Sequence, residues 1–250
     1  MSNWPNQAML TLKSFVITSI NKLLGKKLSR HIGEYLEIKF WSSMLKKTGN
    51  PAFTEELYSR LDPKFPFPER LRKYVNPESE KIKILDVGAG PISAVGIYWP
   101  EGPGIDLFPI DPLADQYDQI LKEVGRAPAV KTALCNGEKI TNKFPVDSFD
   151  LVYARNSLDH CSDPIKCFQE MYSVTKNNGY IYAEHARNEG IKENYRGFHQ
   201  WNFDIINSDF CVWNEKSHLL LKEFLPKESQ IFTEFDEKND WIVLIIKKVM

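Results

Sequence analysis

The chain has 250 residues, of which 42% are hydrophobic and 26% charged, enough for one large soluble domain or one domain with an appendage. With 32 Lys and Arg against 33 Asp and Glu, the net charge of −1 excludes a global electrostatic pull toward nucleic acid. No window approaches 18 apolar residues, and no pair of the cysteines at 135, 161, 167 and 211 has CxxC spacing. A membrane-crossing helix, a zinc ribbon and a thioredoxin-type motif are therefore not expected; with no secretory signal, a reducing cytoplasm is.

Residues 1–33 hold no Asp or Glu but carry Lys13, Lys22, Lys26, Lys27 and Arg30. Leu12, Phe15, Val16, Leu23 and Leu24 recur at roughly helical spacing. Two readings stay open: a basic amphipathic helix lying on an anionic membrane, or a surface helix packed on the domain with a solvated lysine face. Helical segments are expected near 8–28, 30–48 and 53–60, so that 1–78 forms a helical extension or cap. GNP at 49–51 and the proline-rich DPKFPFPE at 62–69 punctuate it.

The texture changes at 81. KIKILDVGAGP is a β-branched run ending in a glycine turn. Further strands are expected at GIDLFPID (104–111), within APAVKTALCNGEKI (127–140), at FDLVYARNS (149–157) and at NNGYIYAEHA (177–186). Helices fall between them, near 92–98, 114–124 and 163–175. Asp163-Pro164 opens the last as an N-cap followed by proline. This alternation predicts a parallel sheet covered on both faces. QIFTEF and WIVLIIKKV around the turn DEKND predict a closing hairpin with an antiparallel strand at the edge. The stretch 187–229 is too long for a plain connection and reads as a lid inserted into a domain spanning 79–250.

ILDVGAG (84–90) carries the strongest chemical signal. A strand delivers Asp86, and Gly88, Ala89 and Gly90 let the backbone turn tightly under a ligand. The third glycine of a dinucleotide turn is missing, and the acid before the turn favours a ligand with cationic groups over one with phosphates. That points to S-adenosylmethionine, which carries an ammonium and a sulfonium. The bland alternatives are ordinary: Asp86 and Asp111 as helix caps, Asn136-Gly137 as a turn pair. Their joint occurrence at the carboxyl ends of successive strands, where open α/β sheets bind ligands, favours a site.

Over about 80–250 these motifs resemble the class I S-adenosylmethionine-dependent methyltransferases. The resemblance implies a Rossmann-like α/β fold, with a mostly parallel seven-stranded sheet whose last strand is antiparallel. It places Asp86, Gly88 and Gly90 beneath the methionine part of the cofactor and Asp111 on the ribose hydroxyls. It sets Asn136, Gly137 and Glu138 against the adenine edge, and Arg155, Asn156 and Ser157 beside the methionine moiety. The missing third glycine is the main departure, and it bears on the path of the first turn.

Methyl transfer to a hydroxyl needs in-line alignment and a base, and histidine is the commonest base. Of five histidines, His160 follows the fourth strand, His185 ends the fifth and His199 lies in the lid, while His31 and His218 carry no site argument. Each of the first three is a candidate catalytic group, with bracing of the fold as its alternative. Asp159, His160, Glu184 and His185 form a further candidate set for a divalent cation, an arrangement that some sugar O-methyltransferases resemble.

EYLEIKFWSSMLKKTGN, RLDPKFPFPERL, DPLADQY and GFHQWNF resemble methyltransferases of bacterial surface-polysaccharide clusters. The lid composition fits such an acceptor, because aromatic rings stack on sugars while amides bond to hydroxyls. Tyr195, Gln200, Trp201 and Asn202 are the candidate acceptor contacts. A saccharide, glycan or similar hydroxylated small molecule is therefore the expected acceptor, with a phenolic or quinone-like compound, an amine, or a non-catalytic cofactor-binding role as alternatives. A basic N-terminal helix would bring such an enzyme to the inner membrane surface. No Asn-Pro-Pro-Tyr-type motif follows the fourth strand, so a nucleic-acid acceptor is not expected.

Overall fold

The computed structural model describes residues 30–249. The basic segment near 8–28 lies outside the described residues. A helix over 30–45 (α1) leads the described part, followed by α2 (Pro51–Ser59) and α3 (Glu69–Arg72). Asn50 caps α2 by accepting from the amides of Ala52 and Phe53, and Pro51 sits where a helix tolerates proline.

The main body runs β1 (Lys81–Val87), β2 (Gly104–Asp111), α4 (Ala114–Glu123), β3 (Ala133–Leu134), β4 (Phe149–Arg155), α5 (Pro164–Val174) and β5 (Thr175–Ala186). The insertion then gives α6 (Glu189–Lys192), β6 (Asn202–Ile206), β7 (Asp209–Asn214) and β8 (Ser217–Leu220). β9 (Gln230–Asp236) and β10 (Trp241–Lys247) close the chain. The sheet has seven strands in the order β3-β2-β1-β4-β5-β10-β9. β1, β2, β3, β4 and β5 pair in parallel, whereas β10 is antiparallel to both β5 and β9.

This is the α/β, Rossmann-like sheet expected from the sequence, with three local differences. The antiparallel β10 does not form the edge. It slots between β5 and β9, pairing antiparallel with both, and its Ile242, Leu244 and Ile246 are buried. No helix forms at 92–98. Ser93 instead donates to Asp86 at 2.5 Å, and the chain passes so close to Phe65 and Pro66 that a Cβ at Gly96 would lie 2.2 Å from either carbonyl oxygen. The insertion 187–229 is not plain lid either. β6, β7 and β8 form their own antiparallel sheet, and Phe203, Phe210, Val212, Leu221 and Leu225 join the main core beside α5. Its apolar alternation, with Phe203, Phe210 and Val212 inward, is the period-two signal of a half-buried strand.

A further cluster fixes the cap. Met44, Leu45 and Leu57 from the first helices pack with Tyr117, Ile120 and Leu121 of α4, and Trp41 and Phe198 lie against them. The helical segment is thereby held over the carboxyl end of the sheet, where ligands bind in open α/β folds.

Candidate active site

The first turn is built as the glycines require. Gly88 and Gly90 hold φ of +73° and +64°, a region L side chains seldom adopt. A Cβ at Gly88 would lie 2.3 Å from Ser157 Oγ, and one at Gly90 would lie 2.9 Å from the Trp41 ring. The amides of Gly88 and Ala89 both donate to the Ile110 carbonyl, which ties the turn to β2.

Asp86 and Asp111 stand at the ends of β1 and β2, both buried. Burial pushes Asp86 up to about 6, against the hydrogen bond from Ser93. Burial pushes Asp111 up to about 7, although its two oxygens accept from the amides of Leu113 (2.8 Å) and Gly90 (3.1 Å). Each carboxylate oxygen accepting one such bond keeps lone-pair capacity for a ligand.

The remaining residues expected around the donor have defined internal roles. Asn136 caps a short 3-10 helix (Gly137–Asn142) by accepting from Glu138. Gly137 lets that helix approach α5, where a Cβ would lie 2.6 Å from Cys167 Sγ. Glu138 accepts from the Asp163 amide at the head of α5. Asn156, at φ +47°, accepts from the Ala186 amide and so joins β4 to β5. Ser157 donates to the Val87 carbonyl and seals Gly88. Arg155 turns the other way, toward Glu56 and Glu184, each at 3.3 Å.

Three candidate histidines do converge, and they converge on Asp159. Asp159 has no exposed surface and sits in a 3-10 turn, Leu158–His160, after β4. Its Oδ1 lies 2.9 Å from His185 Nε2 and its Oδ2 lies 2.6 Å from His199 Nδ1. His160 Nε2 lies 3.8 Å from the carboxylate and 3.2 Å from His199 Nδ1. Burial alone would raise Asp159, but the surrounding histidines reverse it, and the carboxyl lies well below the usual range.

The ring nitrogens define protonation. His185 Nδ1 faces the Ala186 carbonyl at 2.9 Å while Nε2 faces Asp159, so both nitrogens must donate and the ring is an imidazolium. Burial opposes that charge, yet the Asp159 carboxylate holds the pKa above the ordinary histidine value. His199 is opposed by burial in the same way and pushed up to about 9 by its bond to Asp159. Among the described residues, no hydrogen bond takes its Nε2.

Glu184 is not part of this group. Successive residues of a strand point to opposite faces, so His185 reaches Asp159 while Glu184 faces away. Arg70 grips Glu184 through two nitrogens (2.6 and 3.1 Å), and Tyr153 donates to it at 2.5 Å. The cation set of Asp159, His160, Glu184 and His185 is therefore not assembled. The metal-ligating types that do come together are Asp159 with His160 and His199, and Asp159 with His185 and Glu189.

The expected acceptor contacts also have internal partners. Gln200 donates to the carbonyls of Tyr195 and Gly197, and Trp201 Nε1 donates to the Cys161 carbonyl. Asn202 is fully buried, accepts from the Ile191 amide and donates to the Tyr195 hydroxyl. These bonds brace the loop that presents His199. Asn194 and Tyr195 take left-handed conformations there, a strained pair for non-glycine residues. Of the other histidines, His218 stacks on Trp213 and His31 is exposed beside Glu34.

Sequence reasoning missed Glu189 and the α1 contacts. Glu189 belongs to a four-residue helix with no periodic signature, yet its Oε2 is buried without a partner among the described residues, 3.9 Å from His185 Nδ1. Trp41 and Phe198 were not singled out by the sequence, and the fold sets Trp41 against Gly90 and Phe198 beside His160.

A sheet of this order, turning on glycines after its first strand and ending its second in an acid, is the arrangement that the resemblance to class I S-adenosylmethionine-dependent methyltransferases implies. Residues 85–183 match the family model described as a methyltransferase domain. An uncharacterised methyltransferase of Schizosaccharomyces pombe is 34% identical over 110 residues, which are 42% of this chain and 40% of that protein. The chain thus matches about two fifths of the length of this curated relative. A candidate S-adenosyl-L-methionine-dependent methyltransferase of Methanococcus maripaludis superposes with a TM-score of 0.51 at 16% identity, over 80% of this chain and 90% of that one. A methyltransferase of the same dependence from Aquifex aeolicus gives 0.45 at 14% identity, over 83% and 98%. At these identities the likeness to solved structures is one of fold.

Proposed function

We propose that the chain transfers the methyl group of S-adenosylmethionine to a hydroxyl of a small hydroxylated acceptor, with a saccharide or glycan as the first class to test. The single observation that carries this reading is the Asp159–His199 pair. A buried carboxylate fixes one nitrogen of an imidazole whose other nitrogen is left for a substrate. Ser157, which packs on Gly88, is only two residues from Asp159, so the pair adjoins the glycine turn.

In this reading Asp86, the turn Gly88–Gly90 and Asp111 hold the donor, with Asp111 on the ribose hydroxyls and Asn136, Gly137 and Glu138 toward the adenine. The donor, once bound, supplies an electrophilic methyl on a sulfonium. The acceptor oxygen forms the new O–CH3 bond as the C–S bond breaks, the sulfur keeps that electron pair as a neutral thioether, and the hydroxyl proton passes to His199 Nε2. Asp159 stabilises the imidazolium that results, and His185 and His160 brace the carboxylate. His199 must be unprotonated to accept, and its pKa is about 9 in the free protein, so the rate is expected to rise with pH toward about 9.

The test is transfer of a labelled methyl group from S-adenosylmethionine to a panel of nucleotide-activated sugars and glycans. The assay is run with wild type and with His199→Ala. Labelling of a hydroxylated acceptor that falls about 10²–10⁴-fold in the variant supports the assignment. Labelling confined to amines, or a variant as active as wild type, overturns it.

A further inference from the structure

We propose that α1 is a wall of the donor site, with Trp41 roofing the glycine turn and Glu37 presenting a third carboxylate to the donor's sulfonium. This rests on the donor reading given above. Glu37 and Trp41 are four residues apart, which places them on one face of the helix. The Trp41 indole donates to Glu37 Oε1 at 2.8 Å, so the two side chains form one unit. The same ring closes on Gly90 and meets Tyr117 of α4 edge-on at 6.2 Å. Gly90 in turn donates its amide to Asp111. Helix, turn and ribose acid are thus joined through a few contacts.

The electrostatics agree with that placement. After burial, which dominates, Glu37 is near enough to add its repulsion to the upward shifts of both Asp111 and Tyr117. Three carboxylates, Asp86, Asp111 and Glu37, therefore surround one turn, an arrangement that repels phosphates and attracts a cation. The missing third glycine also has a partner here. Where a dinucleotide turn continues into a helix, this chain has Pro91 and an irregular stretch, and α1 supplies the cover from outside the sheet.

The other end of α1 reaches the acceptor side. A Cβ at Gly33 would lie 2.6 Å from the Phe198 ring, and that ring lies 5.6 Å from His160. Phe198 immediately precedes His199. One helix thus touches the donor turn through Trp41 and the His199 loop through Gly33.

The experiment compares S-adenosylmethionine with its demethylated product, S-adenosylhomocysteine, by calorimetry. Both ligands carry the ammonium, but only the first carries the sulfonium charge. Glu37→Gln keeps shape and removes the charge, so it is expected to weaken S-adenosylmethionine about 3- to 10-fold and the product by less than about twofold. Trp41→Phe is expected to weaken both ligands, because it trims the roof, and S-adenosylmethionine at least as much as the product, because it also frees the Glu37 carboxylate from the indole N–H. Far-UV circular dichroism confirms that each variant is folded. Glu37→Gln binding both ligands as wild type does, or losing both equally, overturns the role given to Glu37. Wild-type affinities in Trp41→Phe overturn the roof. Wild type binding neither ligand would instead sink the donor reading on which this one stands.

Discussion

Two charged clusters flank the end of β5, one on each face, and they differ in what is left over. On one face Glu184 accepts from Tyr153 and from two nitrogens of Arg70, with Arg155 at 3.3 Å. Both of its oxygens are engaged by protein donors. On the other face Asp159 is fully buried and paired with histidines, and among the described residues two atoms nearby have no hydrogen-bond partner: His199 Nε2, and Glu189 Oε2 beside His185. Neighbouring residues 184 and 185 thus belong to two kinds of site. A buried network whose polar atoms are all engaged specifies a fold, whereas spare buried polar atoms cost stability and mark a candidate functional site.

That contrast can be broken in order of size. His199→Ala is expected to cut the methyl-transfer rate about 10²–10⁴-fold with donor affinity little changed, while melting temperature falls because the buried Asp159 loses a partner. A large fall in melting temperature with the rate retained would make the Asp159 face structural after all. Glu184→Gln is expected to do the reverse. It should destabilise the protein by roughly 2 kcal/mol in chemical denaturation, below the 3–5 kcal/mol of a fully buried pair because Arg70 and Arg155 are partly exposed. Its effect on rate should follow only the folded fraction.

The smallest effect sharpens the donor side. Asp111 and Asp86 are raised to about 7 and 6 in the free protein, and a cationic donor with ribose hydroxyls favours their charged forms. Affinity for S-adenosylmethionine is expected to be flat above about pH 7. It should fall as pH drops through those values, by up to about tenfold per pH unit for each carboxyl that must ionise. Titration calorimetry between pH 5 and 8 checks this, and a flat profile would remove both carboxyls from the binding step.

The glycine turn and the acids at the ends of β1 and β2 were legible in the sequence because their determinants are local. A β-branched run, an acid and two glycines at fixed spacing define a strand and a turn wherever they occur. Asp163-Pro164 opened a helix where expected. The acceptor side was less legible because its determinants are distant in sequence. Asp159 and His199 are forty residues apart, and their meeting depends on tertiary contacts: the packing of β6 and β7 beside α5 and the bonds that brace the 194–202 loop. Trp201 and Asn202 read as acceptor contacts by composition, yet their polar atoms serve the loop. Glu184 read as a partner of His185 because the two are adjacent, and strand alternation separates them. The helix expected at 92–98 failed because a tertiary contact, the passage of Phe65 and Pro66 against Gly96, overrode local propensity.

The central claim is that the carboxyl end of β1 and β2 holds S-adenosylmethionine, and calorimetry on the purified chain tests it most directly. Wild type is expected to bind S-adenosylmethionine or S-adenosylhomocysteine with a dissociation constant on the order of micromolar, typical of a pocket-bound small ligand. Asp111→Ala should weaken that binding by about 1.5–3 kcal/mol, the scale of hydrogen bonds to a charged group. No binding to a folded wild type, or full affinity in Asp111→Ala, would contradict the account.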